Sequence, residues 1–416
     1  MWLRDCPYGH TNLIPGLDGL IFSETFCWEG LLMEAKQVNL GGSILVPCVQ
    51  EVAKGALGQV PSRYQHPDQD PPIGIATPSP QVPVIDMQKL LSGDSMDAEL
   101  EKLHHACKHW GFFQLRNHGV ESSLVEKVKK GIQGLFNLPM EEKKKLWQRP
   151  GEVEGFGQAF VVSDEQKLDW GDMFFITSLP PHLRKPHLFP NLPLPFRDDI
   201  DAYSVELRDL ALKILGFQAK ALGMDPDDMR IFEGGYQTLR MNYYPPCPQP
   251  EVAIGLSPHS DGVGITILLQ INEMEGLQIK KDGAWIPIKP LPDAFVVNIG
   301  DILEMITNGA YPSIEHRAVV NSKKERLSIA TFYCPKLDAD IGPAPSLITP
   351  QTPPKFKTLP ISHYLSDLFK HLLKIHTVNQ MAQLHGAPVK SQLAEVRYET
   401  GEHAKVKEIR VGTQHD

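Results

Sequence analysis

What the 416 residues lack narrows the field first. No apolar run approaches the roughly 18 residues of a membrane-spanning helix. No basic start followed by an uninterrupted apolar stretch marks a secretory leader. Basic residues are not in surplus: the formal net charge is -9, which argues against a nucleic-acid-binding surface. Cys6, Cys27, Cys48, Cys107, Cys247 and Cys334 are scattered without metal-type or disulfide-type spacing, a pattern that suits a reducing compartment and a cytoplasmic protein. No internal repeat is present. Nothing acidic completes an H-E-x-x-H pattern around His104, His105, His109 and His118, so these read as structural or surface histidines even though His105 and His109 are spaced to share a helix face.

What is present concentrates between Leu256 and Ser328. Ser257-Pro258-His259-Ser260-Asp261 is followed by His316 and then by Arg326-Leu327-Ser328. In an extended strand residues i and i+2 point to the same side, so His259 and Asp261 can turn into one cavity, and a fold must return His316 as a third ligand. Two imidazoles and one carboxylate on one face of an octahedral ion leave open positions, the donor set of non-haem Fe(II) oxygenases. A closed structural zinc site would want a fourth protein ligand, often a thiolate, and no Cys neighbours these residues. Arg326 and Ser328 repeat the two-residue spacing and suit a carboxylate, which a guanidinium fork grips in bidentate fashion. Asn242 and Tyr244, within the strand-like Arg240-Met241-Asn242-Tyr243-Tyr244, share a face from which a phenol can donate to the same carboxylate. Phe332 falls on the face of Arg326 and Ser328, where it would either stack on a substrate or serve the core.

The segments Asn242-Tyr243-Tyr244-Pro245-Pro246-Cys247-Pro248-Gln249-Pro250, Gly255 to Gly262, Glu275-Gly276-Leu277-Gln278-Ile279, Asn298-Ile299-Gly300-Asp301, Ser313 to Ala318 and Glu325 to Ala330 resemble the plant 2-oxoglutarate/Fe(II)-dependent dioxygenases. Within that family the likeness is to the senescence-related and alkaloid O-demethylase branch, and it runs from about Met33 to about Leu372. It implies an α+β, mainly β fold: a double-stranded β-helix (jelly roll, cupin-like) core with flanking helices.

Organisation along the chain follows. Residues 1–32 are an unmatched extension, and Met33 opens the family-like text. Residues 33–80 hold a short helix near Val46–Ala56 and a Pro-rich linker from Pro61. Residues 81–235 form the N-terminal dioxygenase region, with helices expected over Met96–Trp110, Ser122–Phe136, Met140–Trp147 and Phe196–Leu222 from apolar residues at helical spacing. The run Glu141-Glu142-Lys143-Lys144-Lys145 reads as a solvated helix face. Residues 236–345 form the jelly-roll core, where Asp282-Gly283 marks a hairpin turn. Residues 346–375 carry a closing helix over Ser362–Leu373, and 376–416 are an unmatched tail in which the family likeness is lost.

The resemblance implies an oxidoreductase that consumes 2-oxoglutarate and O2 with Fe(II), ascorbate serving as reductant, and releases succinate and CO2. His259, Asp261 and His316 would hold the metal. Arg326, Ser328, Tyr244 and Asn242 would hold 2-oxoglutarate. The expected reaction is hydroxylation or O-demethylation of a small aromatic natural product of alkaloid or flavonoid type, by a monomer with neither a nucleic-acid nor a membrane partner. Two other readings stay open: a norcoclaurine-synthase-like, non-oxidative condensing enzyme, and a catalytically silent binding protein on the same scaffold.

Overall fold

The computed structural model describes residues 43–55, 58–67, 80–158, 161 and 163–368. The extension 1–32, the start at Met33, most of the Pro-rich linker, the far end of the closing helix and the tail 376–416 lie outside the described residues.

In chain order the elements are α1 (Val49–Lys54), β1 (Val84–Asp86), α2 (Met87–Leu91), α3 (Met96–His109), β2 (Phe112–Arg116), α4 (Ser122–Phe136), α5 (Met140–Lys144), β3 (Gly155–Gly157), β4 (Asp172–Leu179) and α6 (Phe196–Leu222). The barrel strands follow: β5 (Gln237–Tyr244), β6 (Leu256–His259), β7 (Ile265–Gln270), β8 (Leu277–Lys281), β9 (Ala284–Pro287), β10 (Phe295–Ile299), α7 (Asp301–Ile306), β11 (His316–Ala318), β12 (Arg326–Tyr333), β13 (Asp340–Ile341) and β14 (Leu359–Pro360). A large sheet runs β1-β2-β10-β7-β12-β5-β4-β3 and a smaller one β6-β11-β8-β9. Every neighbouring pair is antiparallel except β1 with β2.

The two-residue period of the strands separates the large sheet's faces. Outward go Phe174, Leu239, Met241, Ile267, Val297, Leu327 and Ile329, which join the apolar faces of α3, α4 and α6 in one core. On α6, Ile200, Tyr203, Leu207, Leu210 and Ile214 are buried as their spacing predicts, while Phe217 is only partly covered. Between the sheets, Phe112, Val296, Leu277, Ile279 and Ile286 close one end with a smaller apolar cluster. The rest of the inner face carries polar side chains, among them Arg240, Asn242, Thr266 and Ser328, with Phe175, Ala330 and Phe332 interspersed. In the β8–β9 hairpin, Asp282 and Gly283 both take left-handed backbone (φ 51 and 81), the conformation a two-residue turn of this kind demands.

Two expectations change. The third helix stops at Lys144, and its charge run is not wholly solvated. Lys143 is 2 % exposed, donates to Gln50 Oε1 and lies 5.5 Å from the Phe156 ring centroid. Its neighbours Lys144 and Lys145 do pair at the surface, with Glu141 and Glu142. The residues after Gly300 form the short helix α7.

Candidate metal and co-substrate site

His316 opens β11 and is the direct Cα partner of His259 at the end of β6. That register is what returns the distal histidine: the two imidazole centroids lie 4.3 Å apart. Asp261 is not on the strand. β6 ends at His259, and the carboxylate is delivered by the turn beyond it, so the two-residue spacing brings the pair together through a strand end rather than along a strand. Asp261 Oδ1 is 3.5 Å from His259 Nε2 and 3.6 Å from His316 Nε2. One ligand atom from each residue lies within 4.8 Å of the others, and no other group among the described residues does the same.

The remaining atoms of the three side chains are committed elsewhere. His259 Nδ1 donates to the Ser257 carbonyl (2.8 Å) and His316 Nδ1 to the Ile314 carbonyl (3.0 Å). A carbonyl only accepts, so the protons sit on Nδ1 and the Nε2 lone pairs face Asp261. Asp261 Oδ2 accepts from Thr266 Oγ1 (2.6 Å) and Asn298 Nδ2 (2.8 Å), which leaves Oδ1 for a metal. Burial, reinforced by His259 and opposed by Asp261, pushes His316 down to about 4, so its ring is neutral at pH 7. Burial alone would raise the Asp261 carboxyl, but the histidines and Thr266 outweigh it and hold it well below the ordinary carboxylate range. An ionised carboxylate beside an imidazole lone pair, with every second atom fixed, is a preorganised donor set for a divalent cation.

Register also assembles the second constellation. Arg326 is the Cα partner of Tyr244, and Ser328 of Asn242. The Arg326 guanidinium is 5.4 Å from the Tyr244 ring centroid, and Asn242 Nδ2 is 3.5 Å from Ser328 Oγ. Arg326 is 3 % exposed, its Nη2 reaches Gln270 Oε1 at 3.3 Å, and its Nε has no partner. Burial lowers its pKa, yet a guanidinium stays protonated in proteins. No carboxylate among the described residues pairs with it. A buried, unpaired cation beside a hydroxyl and a phenol is a socket for an anion.

Residues 235–335 match the 2OG-Fe(II) oxygenase superfamily, and residues 82–192 match the N-terminal region described as non-haem dioxygenase in morphine synthesis. Over 337 residues the chain is 59% identical to the oxoglutarate-dependent flavonoid 7-O-demethylase 1 of Ocimum basilicum, spanning 80% of this chain and 90% of that one. The chain belongs to the Fe(II)/2-oxoglutarate-dependent oxygenases. Codeine O-demethylase of Papaver somniferum is 54% identical over 331 residues, 77% of this chain and 91% of that one. A crystal structure of JOX2 in complex with 2OG, Fe and JA superposes with a TM-score of 0.71 at 36% identity, covering 80% of this chain and 97% of that one. This oxygenase is therefore a dioxygenase using Fe(II), 2-oxoglutarate and O2, and no helix among its described residues is long and apolar enough to cross a membrane.

Several groups at the oxygenase's site were not singled out from sequence. Thr266 and Asn298 are lone polar residues in apolar strand text, and their inward parity was the available signal. Asp169 accepts from Ser257 Oγ (2.6 Å) and Ser257 N (3.3 Å), fixing the strand that carries His259; nothing in the sequence pairs them. Of the aromatics between Gly155 and Pro193, Phe156, Trp170 and Phe174 are buried in core, whereas Phe175 is half-buried on the inner face. Phe332 is likewise half-buried and partners Thr266 across β12 and β7. His104, by contrast, bonds the Tyr311 hydroxyl (3.0 Å), and His118 packs on Phe295. The closing helix, described over residues 361–368, lies against the turn after Asp261: a Cβ added at Gly262 would fall 2.4 Å from Leu368 Cδ2.

Proposed function

We propose that His259, Asp261 and His316 hold Fe(II) through the two Nε2 atoms and Oδ1. Arg326, Ser328 and Tyr244, with Asn242 behind them, grip the far carboxylate of 2-oxoglutarate. The enzyme then oxidises a C–H bond of a small aromatic natural product of flavonoid or alkaloid type, and Phe332 helps wall its pocket. Iron with bound 2-oxoglutarate and O2 supplies the oxidising chemistry, ascorbate keeping the metal reduced. The protein positions the reacting C–H bond and excludes water.

At a methoxy carbon the products balance as follows. The ether, 2-oxoglutarate and O2 give a hydroxymethyl ether, succinate and CO2, and the hydroxymethyl ether loses formaldehyde to leave the free hydroxyl. No protein acid or base takes part in the oxidation. Thr266 and Asn298 keep Oδ1 of Asp261 aimed, and the backbone carbonyls of Ser257 and Ile314 keep the imidazole tautomers.

The observation that carries this reading is the buried Arg326 with an orphaned Nε on the barrel face that also supports Asp261. A non-oxidative condensation or a silent scaffold has no use for that socket. The enzyme works as a cytoplasmic monomer, with 236–345 as catalytic core, 81–235 as the supporting N-terminal region and 346–375 as the closing segment. The test is formaldehyde release from a panel of methoxyflavones and methoxylated alkaloids, supplied with Fe(II), ascorbate, 2-oxoglutarate and O2. Succinate without any oxidised aromatic product across both classes would sink the substrate assignment.

A further inference from the structure

Of the four histidines between residues 104 and 118, His104 is held by the Tyr311 hydroxyl and His118 by the Phe295 ring. His105 and His109 have no such anchor. Both are exposed, and they stand one turn apart on the same face of α3. Their ring centroids are 4.7 Å apart at an interplanar angle of 48°. No ring nitrogen of either has a hydrogen-bond partner among the described residues.

That spacing has a chemical meaning. A metal–imidazole bond of about 2.0–2.1 Å puts each ring centroid roughly 3.2 Å from the ion. Two such rings then stand about 4.5 Å apart at a right angle and about 5.2 Å apart at the tetrahedral angle. The pair on α3 falls between these limits. It also repeats the arrangement of His259 and His316, whose centroids are 4.3 Å apart at 51°.

The surroundings bear on which ion would fit. The pair occupies the last turns of α3, the negative end of the helix dipole, which favours a cation. Lys281 opposes this, because its Nζ donates to the His109 carbonyl (2.7 Å), but the same bond pins the helix end that carries the ring. Binding must therefore come from the two imidazole bonds rather than from the field. Two nitrogen donors without a carboxylate suit Cu(II) best, then Ni(II) and Zn(II), and not the oxygen-seeking Mg(II), Ca(II) or Mn(II).

We propose that His105 and His109 form a second metal site, an exposed two-imidazole chelate for Cu(II), and more weakly for Zn(II), separate from the oxygenase centre. Its remaining coordination positions face solvent.

The test titrates the full chain, with Mn(II) and 2-oxoglutarate present, with Cu(II) iminodiacetate. That chelate keeps positions open for two imidazoles, and its bulk bars it from the oxygenase centre, where Asp261 and His316 are each only 7 % exposed. Wild type should bind one equivalent with an electron paramagnetic resonance spectrum of two imidazole nitrogens, and Zn(II) should compete where Mg(II) does not. His105→Gln and His109→Gln should each raise the Kd at least about tenfold, because one arm alone loses the gain in effective concentration. Succinate formation should stay within about twofold in both variants. No binding by wild type below about 1 mM chelate, an unchanged Kd in either variant, or copper held by one imidazole overturns the assignment. So does a parallel loss of succinate formation, which would make the two histidines part of the oxygenase machinery.

Discussion

Replacing Arg326 by Met should have two opposite effects, and the contrast between them is diagnostic. Without 2-oxoglutarate the substitution removes a buried charge that has no carboxylate partner. That gain offsets the loss of the 3.3 Å bond to Gln270 and the contact with Tyr244. The free protein should therefore change by no more than about 1–2 kcal/mol in either direction. With 2-oxoglutarate the loss is large, because truncating one partner of a buried, hydrogen-bonded charge pair costs about 2–5 kcal/mol, or roughly 30- to several-thousand-fold in Kd. Taking a hundredfold loss as the working figure, ligand at a hundred times the wild-type Kd stabilises wild type by about 2.7 kcal/mol but the variant by only about 0.4 kcal/mol. Urea unfolding of both proteins loaded with Mn(II), with and without 2-oxoglutarate, reads all four states. A variant that keeps most of the ligand-induced stabilisation, or that is several kcal/mol weaker without ligand, refutes the socket argument.

Three further outcomes follow from the same geometry. Thr266→Ala and Asn298→Ala each remove one of the two donors to Asp261 Oδ2 and should weaken Mn(II) or Co(II) binding about 10- to 100-fold with the fold intact; unchanged metal titrations would show that the carboxylate needs no such bracing. Asp172 accepts from the backbone N–H groups of Val49 and Gln50, both at 2.8 Å, so Asp172→Ala should destabilise the protein by about 1–3 kcal/mol in urea, and a shift below 0.5 kcal/mol, well under that range, would contradict it. Burial pushes the thiols of Cys48, Cys107 and Cys334 up to about 12 and that of Cys247 to about 11. Folded pKa values above the unfolded ones mean stability that is present below pH 9 and lost as pH rises from about 9 towards 12. Peptide mapping after iodoacetamide at pH 8 should find the buried Cys107, Cys247 and Cys334 unlabelled in the native protein and labelled in urea, and rapid native labelling of any of these three would count against the burial argument.

How much was legible in the sequence depended on the range of the interaction. Local periodicity gave α4 and α6 their observed bounds, since apolar residues at helical spacing need no partner to be recognised. The parity of Asn242, Tyr244, Arg326 and Ser328 was readable, and the β5–β12 register then brought them together as parity alone could not. The short α7 was not legible, because Ile302–Ile306 is too brief an apolar run to distinguish a helix from the end of a strand. Lys143 misled because a charge run hides the one member whose helix face turns inward. Asn298 and Asp169 acquire their roles only through contacts made over dozens of residues, and Thr266 through a bond back across the turn that follows Asp261.

The central claim is that one Fe(II) site built from His259, Asp261 and His316 consumes 2-oxoglutarate held at Arg326. The most direct measurement is succinate formed by anaerobically purified enzyme after addition of Fe(II), ascorbate, 2-oxoglutarate and then O2, with His259→Ala and Arg326→Met alongside. Succinate that requires all four additions, vanishes in His259→Ala and falls in Arg326→Met at subsaturating 2-oxoglutarate is the predicted result. Succinate at the wild-type rate from His259→Ala, or none from wild type across the methoxyflavone and alkaloid panel while Fe(II) and 2-oxoglutarate both bind, would contradict the account.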